Sequence, residues 1–207
     1  MPGSPPAERP FVLLNMIATA DGRATIAGRT GPIANRADHE LFHALRGRVD
    51  AVMVGAETIR VEGYGPMAQL AVVVTRSGEL PVERGLLAAE ENRVVVVTPS
   101  RDLELPPCAA SVSYLREADL GVALRRLRAE HGVASIDCEG GPALNATLLP
   151  AGLVDELHLV IAPKLAGGRD PLTILTGGAL DPPLELALLS LHEAGGYLCA
   201  RYAVRRA

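Results

Sequence analysis

Residues able to do chemistry stand at a few separated places in this chain. Glu139 follows an apolar run, Val133 to Cys138, that reads as a buried strand, and it precedes Gly140-Gly141-Pro142. Two glycines remove the Cβ and permit positive φ, so the backbone can turn sharply and lie against a ligand. Proline suits a first helical position, where its missing donor had no partner anyway. The free N–H groups of that helix start then face the carboxyl end of the strand, where open α/β sheets bind ligands. The pattern predicts a phosphate-bearing ligand on the helix start with a carboxylate beside it. Asp21-Gly22 is a turn signal that carries a second carboxylate. Arg46 closes a predicted helix and can fork onto a phosphate, while Thr58 offers a hydroxyl near the start of another.

One further pattern suggests metal chemistry. His39-Glu40-Leu-Phe-His43 satisfies H-E-x-x-H on a helix, the arrangement of zinc hydrolases. Its extended form needs a third histidine six residues past His43, and Val49 stands there. No metal is therefore expected.

The elements that must position these residues alternate in kind. Phe11 to Ile17 is an apolar first strand, and Asn35 can cap a helix over 36–46. Ala51 to Gly55 is a strand followed by a short helix over 57–62 that ends at Gly63. Leu70 to Thr75 and Arg93 to Thr98 are strands flanking a short helix over 82–91, and Ser111 to Tyr114 is another strand. Asp119 to His131 is helical with Leu120, Leu124 and Leu127 inward, closed by Gly132. Val154 to Ala162 is a strand, and Leu184–His192 with Tyr197–Val204 forms a hairpin through Gly195-Gly196. Such alternation predicts an α/β fold whose mixed sheet is mostly parallel, with the C-terminal antiparallel hairpin at one edge.

At 207 residues the chain is long enough for one full core; residues 1–10 read as a loose proline-rich tail and 11–207 as a single domain. That start lacks the basic-then-apolar order of a signal peptide, and no apolar run spans a bilayer. Three widely spaced cysteines, Cys108, Cys138 and Cys199, point to a reducing cytoplasm and core thiols. A net charge of −4 and the absence of tryptophan argue against a nucleic-acid surface. The long segment 164–183 has little periodicity, so it and the strand before it are candidates for ligand or cross-subunit contact.

Several of these patterns occur in a fixed order: Ala18-Thr-Ala-Asp-Gly-Arg23, His43-Ala-Leu-Arg46, Val54-Gly-Ala-Glu-Thr-Ile-Arg60 and Glu139-Gly-Gly-Pro-Ala-Leu144, then Gly152-Leu-Val-Asp-Glu156 and Ile161-Ala-Pro-Lys-Leu165. Together they resemble the reductase half of the riboflavin-biosynthesis deaminase–reductase, over nearly the whole chain from Phe11 onward. The resemblance implies a three-layer α/β/α sandwich like that of dihydrofolate reductase, and a homodimer. It also implies NADPH-dependent reduction of a ribosylamino-pyrimidine 5′-phosphate to its ribitylamino product. By that likeness Ala18, Pro32, Thr58, Glu62 and the turn and helix start of Gly140, Gly141, Pro142, Ala143, Leu144 and Asn145 hold the cofactor. Thr75-Arg76-Ser77 is similar to the segment that grips the 2′-phosphate, a dianion that an arginine fork suits. Thr30, Arg46 and Glu139 fall at substrate-contacting positions. Glu139 is expected to orient the pyrimidine, and Asp21 to serve the reacting end, where a carboxylate stabilises a protonated imine. The chain departs from the family pattern at Asn15, where many relatives have lysine, and at Tyr64-Gly-Pro-Met67, where a second substrate arginine is expected. Reduction of dihydrofolate or another small substrate, and a non-catalytic nucleotide-binding role, stay open beside the main reading.

Overall fold

Valine-rich strands dominate the first two-thirds of the chain, and the computed structural model, which describes residues 6–169 and 172–205, joins them into one sheet. Its strands are β1 (Phe11–Thr19), β2 (Ala51–Gly55), β3 (Leu70–Val74), β4 (Arg93–Thr98), β5 (Ser111–Arg116), β6 (Ser135–Cys138), β7 (Glu156–Ala162), β8 (Leu186–Ala194) and β9 (Tyr197–Val204). Their order is β5-β4-β3-β2-β6-β1-β7-β9-β8. The first seven pair in parallel, and β9 runs antiparallel to both β7 and β8. Parallel strands need crossovers and are covered on both faces, which is why β3 and β4 read as unbroken aliphatic runs.

Helices α1 (Arg36–Arg46), α2 (Ala56–Glu62), α3 (Leu120–His131) and α4 (Pro142–Leu148) provide that cover. One face packs Val12, Leu14, Met53 and Ile136 against Leu124 and Leu127 of α3 and Leu144 and Leu148 of α4. The other packs Leu13 against Leu45 of α1, and Val54 and Val73 against Ile59 of α2. Leu124, Leu127 and Leu148 are wholly buried, each contributing about 1.5–3 kcal/mol by transfer from water. Caps set the helix ends as the sequence predicts. Asn35 Oδ1 accepts from the Asp38 amide at 2.9 Å, and Gly132 closes α3 in the left-handed conformation. No helix among the described residues is long and apolar enough to cross a membrane.

Some expectations change. The helix expected over 82–91 is a single 3₁₀ turn, Gly85–Ala88. Leu86 and Leu87, adjacent in sequence, are both buried, and Asn92 Nδ2 takes the Leu86 carbonyl at 2.7 Å. An amphipathic helix offers neither arrangement. The strand expected from Val133 begins at Ser135, because the Val133 amide donates to Leu127 O in the cap of α3. The tail is also tethered at its end: Arg9 is buried and forks onto Asp155, with NH1–Oδ2 2.7 Å and NH2–Oδ1 2.9 Å. Residues 1–5 of that expected tail lie outside the described residues. Strand β7 is internal, between β1 and β9, so it offers no free edge to a second subunit. Residues 170 and 171 of the long 164–183 segment likewise lie outside the described residues.

Candidate active site

Four of the segments that carry candidate residues leave the carboxyl ends of parallel strands. Ala18–Arg23 closes β1, Gly55–Thr58 follows β2, Thr75–Ser77 follows β3, and Glu139–Pro142 follows β6. Strand β6 is laid late between β1 and β2, after the chain has built β3, β4 and β5 outward. The crevice outside such a reversal is where open α/β sheets bind ligands.

At this point α1 and β6 meet. Arg46, in the last turn of α1, forks onto Glu139 with Nε–Oε1 2.5 Å and NH2–Oε2 2.7 Å. The pair is largely dry: the Glu139 side chain is 3% exposed and that of Arg46 18%. Phe42 and Tyr64 rings lie 4.3 and 5.2 Å from the guanidinium carbon, so the cation is flanked by aromatic faces. Burial works to lower the Arg46 pKa, but the Glu139 bonds outweigh it and hold Arg46 above its ordinary value. The Tyr64 hydroxyl points to Glu139, and burial beside that carboxylate raises it well above 10. The Glu139 amide donates to Met53 O at 2.9 Å, which ties the carboxylate's backbone to β2. A carboxylate has about four lone-pair sites, so Glu139 can accept further N–H groups of a planar ligand while paired.

Beneath this pair lies Asp137, in the middle of β6 and fully buried. Asn15 Nδ2 donates to Asp137 Oδ2 at 3.4 Å, and Oδ1 has no partner. Burial, with Glu139 close by, pushes the Asp137 carboxyl up to about 8.

The next turn is built by its glycines. Gly140 and Gly141 have φ of 76° and 86°; a Cβ on the first would come within 2.8 Å of Met16 Sδ, and on the second within 2.9 Å of Thr58 Oγ1. Only glycine allows α4 to start this close to α2, so Thr58 and the turn are neighbours. Leu144 and Asn145 turn inward instead: Leu144 joins the core, and Asn145 Nδ2 binds Ile174 O at 2.8 Å. Pro142 and Ala143 are the more accessible residues of the helix start.

Asp21 is held elsewhere along the edge. It accepts from Thr19 Oγ1 at 2.5 Å and from the amides of Ala166 and Gly167, the latter at 2.7 Å. The Thr19 bond first, then the two amides, hold its carboxyl down at about 2. It shares no bond with Glu139 or Arg46. Thr30 and Glu62 meet: Glu62 Oε1 accepts from the Thr30 amide at 2.7 Å and its hydroxyl at 2.9 Å. Ala18 is buried at the end of β1, while Pro32 is exposed and its carbonyl accepts from Lys164 Nζ at 2.7 Å. Thr75 is buried with its hydroxyl turned to the Gly78 amide at 3.0 Å; Arg76 beside it is exposed. His39, Glu40 and His43 form no metal set. Glu40 pairs with Arg36 at 2.7 Å, and no group of three or more metal-ligating side chains occurs among the described residues.

Phe42 and Asp137 join this site although neither type nor spacing singles them out, and Asn15 and Tyr64, the two departures from the family pattern, stand in it as well. Asp137 did leave a signal, since a charged residue inside a run that reads as buried needs a partner or a proton.

Comparison with known proteins bears on the family and the fold. The model of the family described as "RibD C-terminal domain" matches residues 10–199. The chain is 33% identical over 215 residues to the 2,5-diamino-6-ribosylamino-4(3H)-pyrimidinone 5′-phosphate reductase of Methanothermobacter thermautotrophicus, covering 95% of this chain and 99% of that one. Its structure is similar to a pyrimidine reductase-like protein from Corynebacterium diphtheriae, with a TM-score of 0.77 and 25% identity over 96% of this chain and 93% of that one. In fold alone it is similar to dihydrofolate reductase from Enterococcus faecalis, solved with NADP(H), with a TM-score of 0.56 and 13% identity over 95% of this chain and 97% of that one.

Proposed function

The chain belongs to the RibD C-terminal domain family, and from that membership we propose that it is a reductase in riboflavin biosynthesis that converts a ribosylamino-pyrimidine 5′-phosphate to its ribitylamino product with NADPH. The observation that carries this reading is the buried Arg46–Glu139 fork at the carboxyl edge of β6. In it a phosphate-binding cation and a base-orienting carboxylate stand side by side. Thr30, held by Glu62, borders the same substrate.

The residues present fit a dinucleotide. At Gly140 and Gly141 any side chain would collide with Met16 or Thr58, so backbone and the Thr58 hydroxyl line this turn and would hold a pyrophosphate. The bound nicotinamide supplies hydride; the chain's own groups bind, orient and set the local charge. Asp21, anionic down to about 2, is no proton donor at neutral pH. Its role is a fixed negative charge that stabilises the cation developing at the reacting end.

Loss of NADPH absorbance on addition of the ribosylamino-pyrimidine phosphate tests the reading, with dihydrofolate as a separate arm. Turnover of neither, in protein that binds NADPH, would make the chain a nucleotide-binding protein. Turnover of dihydrofolate alone is the second reading. It is favoured by Asn15 and Tyr64, which stand where the resemblance implies a lysine in many relatives and a second substrate arginine.

Cofactor choice follows from Arg76, which is exposed beside Thr75 at the carboxyl end of β3. A charge-assisted bond to the 2′-phosphate contributes about 1.5–3 kcal/mol, so NADPH is expected to bind roughly tenfold to a hundredfold tighter than NADH. Calorimetric titration of both dinucleotides checks this; equal affinities would remove Arg76 from the site.

The same reading includes a homodimer. Strand β8 is an edge, and Leu188, Leu189 and Leu191 on it are 57%, 48% and 53% exposed, with Leu198 of β9 at 41%. An uncovered apolar edge promotes association, and a second copy covers it symmetrically. Light scattering is expected to give twice 21.7 kDa, and Leu188→Asp with Leu191→Asp a monomer. A monomeric parent chain at micromolar concentration would refute it.

A further inference from the structure

Asp137 is a buried titratable group for which the reading above has no use. It lies between β1 and β2 in the sheet, in register with Leu13 and Val52. Its side chain is on the face covered by α1, opposite Ile136 and Cys138, which pack into the other core. The ionisable groups around it are Arg46 from α1, Glu139 two residues along its own chain, Tyr64 after α2, and Cys138 beside it. Arg46 is the one cation of that set, and both of its bonded nitrogens are spent on Glu139. Asp137 receives only the long Asn15 contact, and Oδ1 receives nothing. An ionised carboxylate so placed would lack hydrogen bonds on one oxygen and face a second carboxylate. A neutral acid removes both costs.

We infer that Asp137 is a positioning residue for Glu139: standing as a neutral carboxylic acid beneath α1, it leaves the Arg46 charge undivided and keeps Glu139 the single anionic carboxylate of the site. This rests on the reading of Arg46 and Glu139 as the substrate-holding pair. Ionisation of Asp137 puts two carboxylates in competition for one guanidinium. Glu139 then loses its fixed orientation, and an anionic substrate meets an added negative charge. Asn15 belongs to the same device, because its amide reaches Asp137 Oδ2 without bringing a second cation that would ionise it.

The first measurement needs no substrate. Infrared or carbon-13 NMR titration of the ligand-free protein is expected to show a carboxylic acid signal at about pH 6 that fades through about pH 8 and is absent in Asp137→Asn. A fully ionised carboxylate population at about pH 6 would overturn the inference, whatever the chain reduces. The second is the pH profile of kcat/KM. One pH unit above the titration about a tenth of the acid form remains, so the parent should lose about tenfold between about pH 7 and pH 9, and Asp137→Asn less than twofold. Equal losses in both proteins would refute the positioning role. Should Asp137→Asn fail to fold, the titration of the parent still decides. Absence of turnover with either substrate would remove the proposed reaction and leave the titration result standing.

Discussion

Arg46→Ala is expected to lower kcat/KM by about 10²–10⁴-fold and to destabilise the fold by about 3–5 kcal/mol. The first figure is the loss of two charge-assisted bonds at about 1.5–3 kcal/mol each. The second is the cost of leaving a buried carboxylate without its counter-ion, since the Glu139 side chain is 3% exposed and this fork pairs both its oxygens. The two effects separate in Arg46→Met with Glu139→Leu. Removing both charges restores stability to within about 1 kcal/mol of the parent, because a buried pair contributes little net energy over an apolar replacement. Activity stays lost. Urea denaturation and steady-state kinetics on the single and double variants are the measurements. A double variant that recovers turnover would show that the pair serves only the fold.

Asp137→Asn is expected to stabilise the chain at alkaline pH by about 2–4 kcal/mol and to flatten its stability profile. Burial raises Asp137 from 3.8 to about 8, with Glu139 adding to it. Between those values the folded chain holds a proton that the unfolded chain has released. Raising the pH therefore favours unfolding: the contribution is fully present below 3.8 and is lost as pH rises through about 8. At about 1.4 kcal/mol per unit the whole shift bounds the effect at roughly 6 kcal/mol, and an amide recovers part of it. Asp21 acts in the opposite sense, since its carboxyl is held at about 2 by Thr19 and two loop amides. Its contribution is present above 3.8 and is lost as pH falls through about 2. Asp137 thus contributes to the alkaline limb, and Asp21 shares the acid limb with Glu130 and Glu156, whose carboxyls are also held low. Denaturation midpoints from about pH 5 to pH 9 check the first, and an unchanged alkaline slope in Asp137→Asn would contradict it.

Much of this molecule follows from interactions between near neighbours in the chain. The aliphatic runs of β2, β3 and β4, the Asn35 and Gly132 caps and the Gly195-Gly196 hairpin turn depend on residues a few positions apart. So does the turn at Gly140-Gly141, whose positive φ values only glycine adopts freely. Those elements and their order are enough for the fold class and for the ordered motifs that identify the family. The site itself depends on sheet order. Arg46 and Glu139 are 93 residues apart and meet because β6 is inserted between β1 and β2. Asp21 is fixed by amides 145 and 146 residues away, which no local pattern announces. Thr30 and Glu62, assigned by resemblance to different ligands, share one carboxylate oxygen. Asp137 looks like a stray charge in an apolar run, because periodicity reports which face a residue takes and not what waits there. Burial, charge pairing and protonation are properties of the assembled sheet and its covering helices, and these were decided only when distant segments came into register.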